Sequence, residues 1–205
     1  MRICLYGSGS REIDKIYTNA GYELGCLIAQ KSHTLVFGGG NNGMMGACAR
    51  GVQDNNGKLI GIAPEWIKDY EQLCKNCSEF IYVKSMDERK NKFLEESDAF
   101  IIAPGGIGTL DEFFEIITLK KLERHNKKII IFNIDGFYNK MFDMLDDMTQ
   151  KGFLFNQYDL IKIADTADKI FEYLEWILIF IPKTSISNNT LYLKKKEKRN
   201  KILIS

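Results

Sequence analysis

Short apolar runs alternate with amphipathic stretches along nearly the whole chain, and this alternation restricts the fold more than any other feature. Runs at 3–6, 34–37, 59–63, 80–83, 99–103, 129–134 and 160–163 read as strands. Between them the apolar residues follow helical periodicity. Ile13, Ile16, Ala20, Leu24, Leu27 and Ile28, spaced mostly by three and four, mark one buried face. Strands that alternate with helices must pair in parallel through crossover connections. One doubly wound α/β domain with a mainly parallel sheet is therefore expected over residues 1–182. The length of 205 residues and the 45% hydrophobic content suit a single core.

Two of the predicted strands run into glycine-rich turns that lead into helices. The fifth is followed by Pro104, Gly105, Gly106, Ile107, Gly108, Thr109, Leu110, Asp111 and Glu112, the second by Gly38-Gly39-Gly40-Asn41-Asn42-Gly43. Such a turn exposes backbone N–H groups at the positive end of a helix dipole, where an anion, most often a phosphate, is favoured. Neither turn has the G-x-G-x-x-G spacing of a dinucleotide fingerprint or the G-x-x-x-x-G-K-[ST] of a P-loop. NAD and ATP are thus disfavoured, and a smaller phosphate ester stays open. In a doubly wound domain the ligand binds beyond the carboxyl ends of the strands. Residues 6–10 (Tyr6-Gly7-Ser8-Gly9-Ser10) follow the first strand and either line that cleft or cap the next helix.

Chemistry in such a cleft would rest on arginine, carboxylate and backbone amides. Ser85 and Glu88 have the S-x-x-E form of a capping box, so a helix starts at Ser85 and carries Arg89 and Lys90 in its first turns. Arg89 either belongs to a solvated face or holds a phosphate or leaving group with its planar fork. Thr109 and Glu112 are likewise T-x-x-E, and spacing alone does not separate a cap from a catalyst. With a phosphate on the turn, Glu112 would lie about one helical turn away, at a distance suited to a sugar. There a carboxylate could stabilise positive charge or activate water. Glu115 and Thr118 extend the polar strip. Arg124 and His125 read as a helix C-terminus whose positive charge suits the dipole. No nucleophilic triad and no metal-ligand spacing is evident. Cys74-Lys75-Asn76-Cys77 is formally C-x-x-C, but the chain holds only two histidines, His33 and His125, and the match reads as chance.

The formal net charge of +1 gives no overall electrostatic case for nucleic acid or membrane. Residues 183–205 are different, with seven lysines and arginines, and read as a weakly ordered basic tail; contact with nucleic acid or membrane is the alternative. The apolar run at 177–181 is too short to span a bilayer. The five scattered cysteines suit reduced thiols. A soluble cytoplasmic protein is expected.

With these residues in place, the chain resembles the LOG ("Lonely guy") family of cytokinin riboside 5′-monophosphate phosphoribohydrolases, often labelled lysine decarboxylases. The family pattern PGGxGTxxE is met by Pro104, Gly105, Gly106, Gly108, Thr109 and Glu112. GGGxxGLMG is met over 38–46 with Met44 replacing leucine, and the arginine–lysine pair is Arg89-Lys90. No lysine stands in a recognisable pyridoxal phosphate context. The resemblance covers roughly residues 1–180 and implies a Rossmann-like homodimer, without cofactor or metal, that splits a nucleoside 5′-monophosphate into base and ribose 5-phosphate. Gly105, Gly106, Ile107, Gly108 and Thr109 would hold the 5′-phosphate, Glu112 would stabilise the oxocarbenium-like ribose or orient water, and Arg89 would assist departure of the base. Lys90, Glu71 and Thr118 would be further substrate contacts. Asp87 stands where many members have histidine and Ile107 where tyrosine is common. These departures bear on base preference and make AMP a candidate substrate. A non-catalytic nucleotide or molybdenum cofactor carrier of the same fold is the alternative from another class.

Overall fold

The computed structural model describes residues 1–69, 72–154 and 157–175. Seven strands form one sheet: β1 (Arg2–Tyr6), β2 (Thr34–Phe37), β3 (Lys58–Pro64), β4 (Glu79–Val83), β5 (Ala99–Ile102), β6 (Lys128–Phe132) and β7 (Lys162–Ala164). Their order is β4-β3-β2-β1-β5-β6-β7, and every neighbouring pair is parallel. Six helices make the crossovers: α1 (Lys15–Gln30), α2 (Gly43–Asp54), α3 (Met86–Glu96), α4 (Ile107–Lys121), α5 (Asn139–Gln150) and α6 (Ala167–Glu175). Residues Met1–Leu174 form one compact unit.

Alternate residues of each strand point to opposite faces, so the sheet carries a core on either side. Ile3, Leu5, Leu35, Phe37, Ile101 and Ile130 pack with Leu24 and Ile28 of α1 and Met44, Cys48 and Val52 of α2. Cys4, Tyr6, Val36, Ile60, Phe100 and Ile129 pack with Phe93 of α3 and with Phe113 and Ile116 of α4. Burial on both faces is why the strands read as continuous apolar runs. Helices α1 and α2 touch backbone to backbone. A Cβ on Gly25 would lie 2.0 Å from the Cys48 carbonyl oxygen, and one on Gly51 2.2 Å from that of Tyr22.

All seven predicted strands are present, with two boundaries moved by two residues and others by one. The run at 129–134 ends as a strand at Phe132, because Ile134–Gly136 tightens into a 3-10 turn with Asp135 at φ 50°. The last strand lies at Lys162–Ala164 instead of 160–163. His125 is not a charged helix end. Burial holds its pKa below the ordinary value, and the ring bridges as a neutral group, Nε2–H donating to the Ile116 carbonyl (2.8 Å) and Nδ1 accepting from the Lys127 N–H (3.2 Å). Glu71, the apolar run at 177–181 and the basic tail lie outside the described residues, as does the expected domain boundary at 182. Among the described residues no helix is long and apolar enough to cross a membrane.

Candidate active site

The chain leaves β1 outward through β2, β3 and β4, then returns to place β5 against the other side of β1. That reversal opens a crevice beyond the carboxyl ends of β1 and β5, the place where doubly wound sheets bind ligands. The loops after β1, β2, β4 and β5 all meet there.

Helix α4 starts three residues earlier than a T-x-x-E cap would require. Its N-cap is Gly106, which supplies no side-chain hydrogen bond. Thr109 is therefore the third helical residue; it is buried, and its hydroxyl lies over Gly105, where a Cβ would be 2.2 Å from Oγ1. Gly106 has a negative φ of −91°, Gly108 lies within the helix, and a Cβ on either would meet nothing within 4 Å. Neither glycine is demanded by the chain's own packing, so both leave room beside the first amides of α4. Tyr138 steadies this turn from beneath. Its hydroxyl donates to the Ala103 carbonyl (2.7 Å) and faces the Gly105 N–H, and burial raises its pKa. Ile107, by contrast, is 87% exposed at the mouth of the crevice.

The second glycine turn has another role. The second and third amides of α2, those of Met44 and Met45, donate to the Ser8 carbonyl at 2.9 and 3.2 Å. They are not open to an anion. Residues 7–10 thus cap α2 and not the next helix, α1, whose N-cap is Asp14, and the Ser8 N–H ties the loop to Pro104 O at 3.0 Å. Gly43, at φ 60°, is needed for that approach, since a Cβ would lie 2.4 Å from Ser8 O. Gly38 makes room for Arg89: a Cβ there would fall 2.4 Å from Nη2 of the guanidinium.

Helix α3 begins as expected, with Ser85 Oγ accepting from the Glu88 N–H (3.1 Å). The return bond is displaced by one residue, Glu88 Oε2 accepting from the Lys84 N–H (2.7 Å). Arg89 points inward and not onto a solvated face. Nε donates to the Ile62 carbonyl (3.1 Å), the guanidinium carbon lies 5.2 Å from the Phe93 ring centre, and Nη1 is 3.9 Å from Glu112 Oε1. The two side chains are only 14% and 13% exposed. Burial pushes the Glu112 carboxyl up to about 7, the charge of Arg89 offsetting part of the shift. A carboxyl in that state can hold or accept a proton at neutral pH.

Lys90 crosses from α3 to α4, its ammonium 2.7 Å from Asp111 and 2.8 Å from Glu115. These contacts raise its pKa and fix α3 against the helix that carries Glu112. Thr118, six residues beyond Glu112, is exposed and donates its hydroxyl proton to Phe114 O (2.6 Å). The fold thus brings Arg89, Glu112 and the Gly105–Thr109 turn together, holds Lys90 on the neighbouring carboxylates, and leaves Thr118 on the outer surface of α4. Sequence reasoning missed Gly38, Ile62, Phe93 and Tyr138. Only Gly38 carried a signal, as the head of the glycine triplet. Among the described residues no group of three or more His, Cys, Asp or Glu side chains could hold a metal ion.

Fold and site together define a doubly wound α/β protein with an amide-lined turn beside a buried carboxylate–guanidinium pair. Residues 45–174 match the family model described as "Possible lysine decarboxylase". The chain is 34% identical over 175 residues to the cytokinin riboside 5′-monophosphate phosphoribohydrolase LOG3 of Arabidopsis thaliana, covering 85% of this chain and 81% of that protein. It is equally identical over 175 residues, 34%, to the probable phosphoribohydrolase LOGL2 of Oryza sativa subsp. japonica, covering 85% and 72%. The chain belongs to the LOG family of phosphoribohydrolases. Among solved structures it superposes on the molybdenum cofactor binding protein of Rippkaea orientalis with a TM-score of 0.67 at 24% identity, over 86% of this chain and 96% of that one. The Moco carrier protein of Chlamydomonas reinhardtii gives a TM-score of 0.66 at 20% identity, over 88% and 98%. At these identities the likeness concerns the fold, a Rossmann-like parallel sheet.

Proposed function

We propose that the protein hydrolyses the N-glycosidic bond of a nucleoside 5′-monophosphate, with a cytokinin riboside 5′-monophosphate or AMP as substrate, releasing the free base and ribose 5-phosphate. The observation that carries this reading is the buried Glu112–Arg89 pair set beside an uncapped helix start with two glycines facing open space. The 5′-phosphate sits on the amides of the Gly105–Thr109 turn, favoured by the dipole of α4. The ribose then lies over Glu112. As the bond to the base breaks, positive charge grows on the sugar, and a carboxylate in a low-dielectric site stabilises it strongly. Water attacks the anomeric carbon, and Glu112, with its pKa near 7, can receive the proton that water gives up, the departing base taking up one proton in turn to become the free base. Arg89 faces the departing base with its remaining guanidinium donors. Lys90 positions α3 and α4 through its carboxylate partners, while Ile107 and Glu71 are the further substrate contacts.

The relatives named as phosphoribohydrolases support the assignment at moderate identity over most of the chain. The same reading makes the protein a cytoplasmic homodimer. Support for a dimer comes from Met86 and Ile107, apolar first residues of α3 and α4 that are 38% and 87% exposed.

Incubating the purified protein with AMP, isopentenyladenosine 5′-monophosphate and unphosphorylated adenosine, and measuring free base by chromatography, tests the reading. Base release from a monophosphate only, lost in Glu112→Gln with nucleotide binding retained, is the expected result. Binding without release by the parent protein would replace the hydrolase with a carrier, the role named for the solved structures that share the fold.

A further inference from the structure

The pair Cys74 and Cys77, which sequence spacing alone assigned to chance, occupies a defined place in the fold. Lys75 and Asn76 are turn residues between them. A four-residue turn brings its first and last Cα atoms within about 7 Å, overlapping the range that a disulfide spans. The two thiols lie close enough to shift each other's ionisation in opposite directions. Gln53 Nε2 donates to Cys74 Sγ at 3.3 Å and also reaches the Asn76 carbonyl at 3.3 Å, bracing the turn from α2. Cys74, only 7% exposed, and the half-buried Cys77 both line an open cavity of about 490 Å³ with Gln72, Phe80 and Tyr82. Cys4 and Cys48 are fully buried in the cores, where burial raises their thiol pKa values. Cys74 is shifted the opposite way, chiefly by the Cys77 S–H, with the Asn76 N–H and the Gln53 amide adding to it, while Cys77 is raised. A shared proton held in this way leaves thiolate character on the first cysteine, as nucleophilic C-x-x-C pairs require.

The segment also abuts the candidate active site. Leu73 bridges Gly40, the Cys74 N–H donates to Gly39 O (2.8 Å), and the Asn41 N–H donates to Gln72 O (3.0 Å). Gly38, one residue before, is the seat of the Arg89 guanidinium.

We propose that Cys74 and Cys77 form an oxidisable dithiol site that takes a small peroxide and closes to a Cys74–Cys77 disulfide, altering the glycine loop on which Arg89 rests. The Cys74 thiolate attacks one peroxide oxygen, the O–O bond breaks, and hydroxide leaves to be protonated to water, giving a sulfenic acid. The Cys77 sulfur then attacks the Cys74 sulfur, the S–O bond breaks, and a second water leaves. Two thiols are oxidised by two electrons, and one peroxide is reduced to two waters.

The chemistry does not depend on the hydrolase reading, and its test has its own readout. The full chain is reduced, exposed to hydrogen peroxide, alkylated and digested with trypsin, which cuts after Lys75 and leaves the two cysteines on separate peptides. Those peptides should be joined in the oxidised sample and parted by dithiothreitol, with the link forming about tenfold or more faster than any oxidation of Cys48. In Cys77→Ser, dimedone should trap a sulfenic acid at Cys74. Hydrogen exchange at Gly39 to Asn41 should quicken on oxidation. Two thiols that stay alkylatable, or a link that joins other cysteines, would overturn the site, and a Cys74–Cys77 link with unchanged exchange in the loop would overturn the coupling to Arg89.

Discussion

Glu112 is held where burial opposes its charge, and this gives the candidate site a signature in stability that needs no substrate. Its pKa stands at about 7 in the fold against an ordinary 4.5. Below pH 4.5 both folded and unfolded chains carry the proton and the residue has no effect. Between 4.5 and 7 only the fold keeps the proton, so stability falls as pH rises, and above 7 the full penalty is in force. The shift corresponds to something on the order of 3 kcal/mol. Glu112→Gln removes the titration. Its melting temperature should match the parent at pH 4 and exceed it at pH 8, the gap opening between the two pKa values; a constant gap would place Glu112 in a solvated setting. Gly38→Ala tests the other half of the pair. The added Cβ, 2.4 Å from Nη2, must displace the guanidinium from its place beside Glu112. Displacing a reacting group by about 1 Å can cost 10²-fold, so kcat/KM should fall by about that factor while the melting temperature changes little. At this scale the sequence carried the identities of Arg89 and Glu112 and the open turn, because glycine clusters and charged residues are local signals. It could not carry what holds them. Ile62 lies 27 residues from Arg89, and Ala103 lies 35 from the tyrosine that clamps it, and nothing in either segment announces its distant partner.

Among the secondary-structure elements, the strands and the start of α3 were legible and most other helix ends were not. The five inner strands, buried on both faces, leave unbroken apolar runs, and the edge strands β4 and β7 keep enough apolar residues that all seven could be read within about two residues. Helices α1, α2 and α4 end in the same way, with the paired 6→1 and 5→2 backbone bonds of a Schellman motif: His33 N–H to Ile28 O with Ser32 N–H to Ala29 O, Gly57 to Val52 with Asn56 to Gln53, and Arg124 to Leu119 with Glu123 to Lys120. The left-handed residue at each end is Ser32, Asn56 or Glu123, with φ of 57°, 54° and 58°. Glycine is the usual marker of that position, and its absence hid all three ends. The start of α4 stayed ambiguous for the converse reason, because Gly106 caps it without a side chain and the T-x-x-E pattern at Thr109 supplies no cap. A non-glycine residue in the left-handed region costs about 1 kcal/mol or more, partly offset by the greater unfolded-state freedom of glycine. Glu123→Gly, on the surface and with no ion pair among the described residues, should therefore stabilise the fold by about 0.5 kcal/mol. In a chain of this size that raises the melting temperature by about 1–2 °C, and calorimetry with Ser32→Gly as a second example checks it. A drop in both would mean that their side chains make contacts of their own.

At the scale of the whole molecule, strand order places the chemistry. An alternation of strands and helices implies parallel pairing but leaves many orders open, and only the return of β5 to the free side of β1 brings the loops after β1, β2, β4 and β5 to one crevice. The same topology sets Arg89 on α3 and Glu112 on α4 in one chain, 3.9 Å apart, with Lys90 locking the two helices together. That bears on how a homodimer would work. If each site takes both residues from one subunit, a dimer formed from one Arg89→Ala and one Glu112→Gln subunit holds two broken sites. If instead the sites took Arg89 from one subunit and Glu112 from the other, each mixed dimer would hold one intact site and one doubly broken site. Random exchange makes about half of all dimers mixed, so crossed sites would restore about a quarter of parental turnover. The structure leads us to expect none: co-refolded Arg89→Ala and Glu112→Gln proteins should release no more base than the two measured separately. Recovery near a quarter would require the Arg89–Glu112 contact to be remade across the subunit boundary.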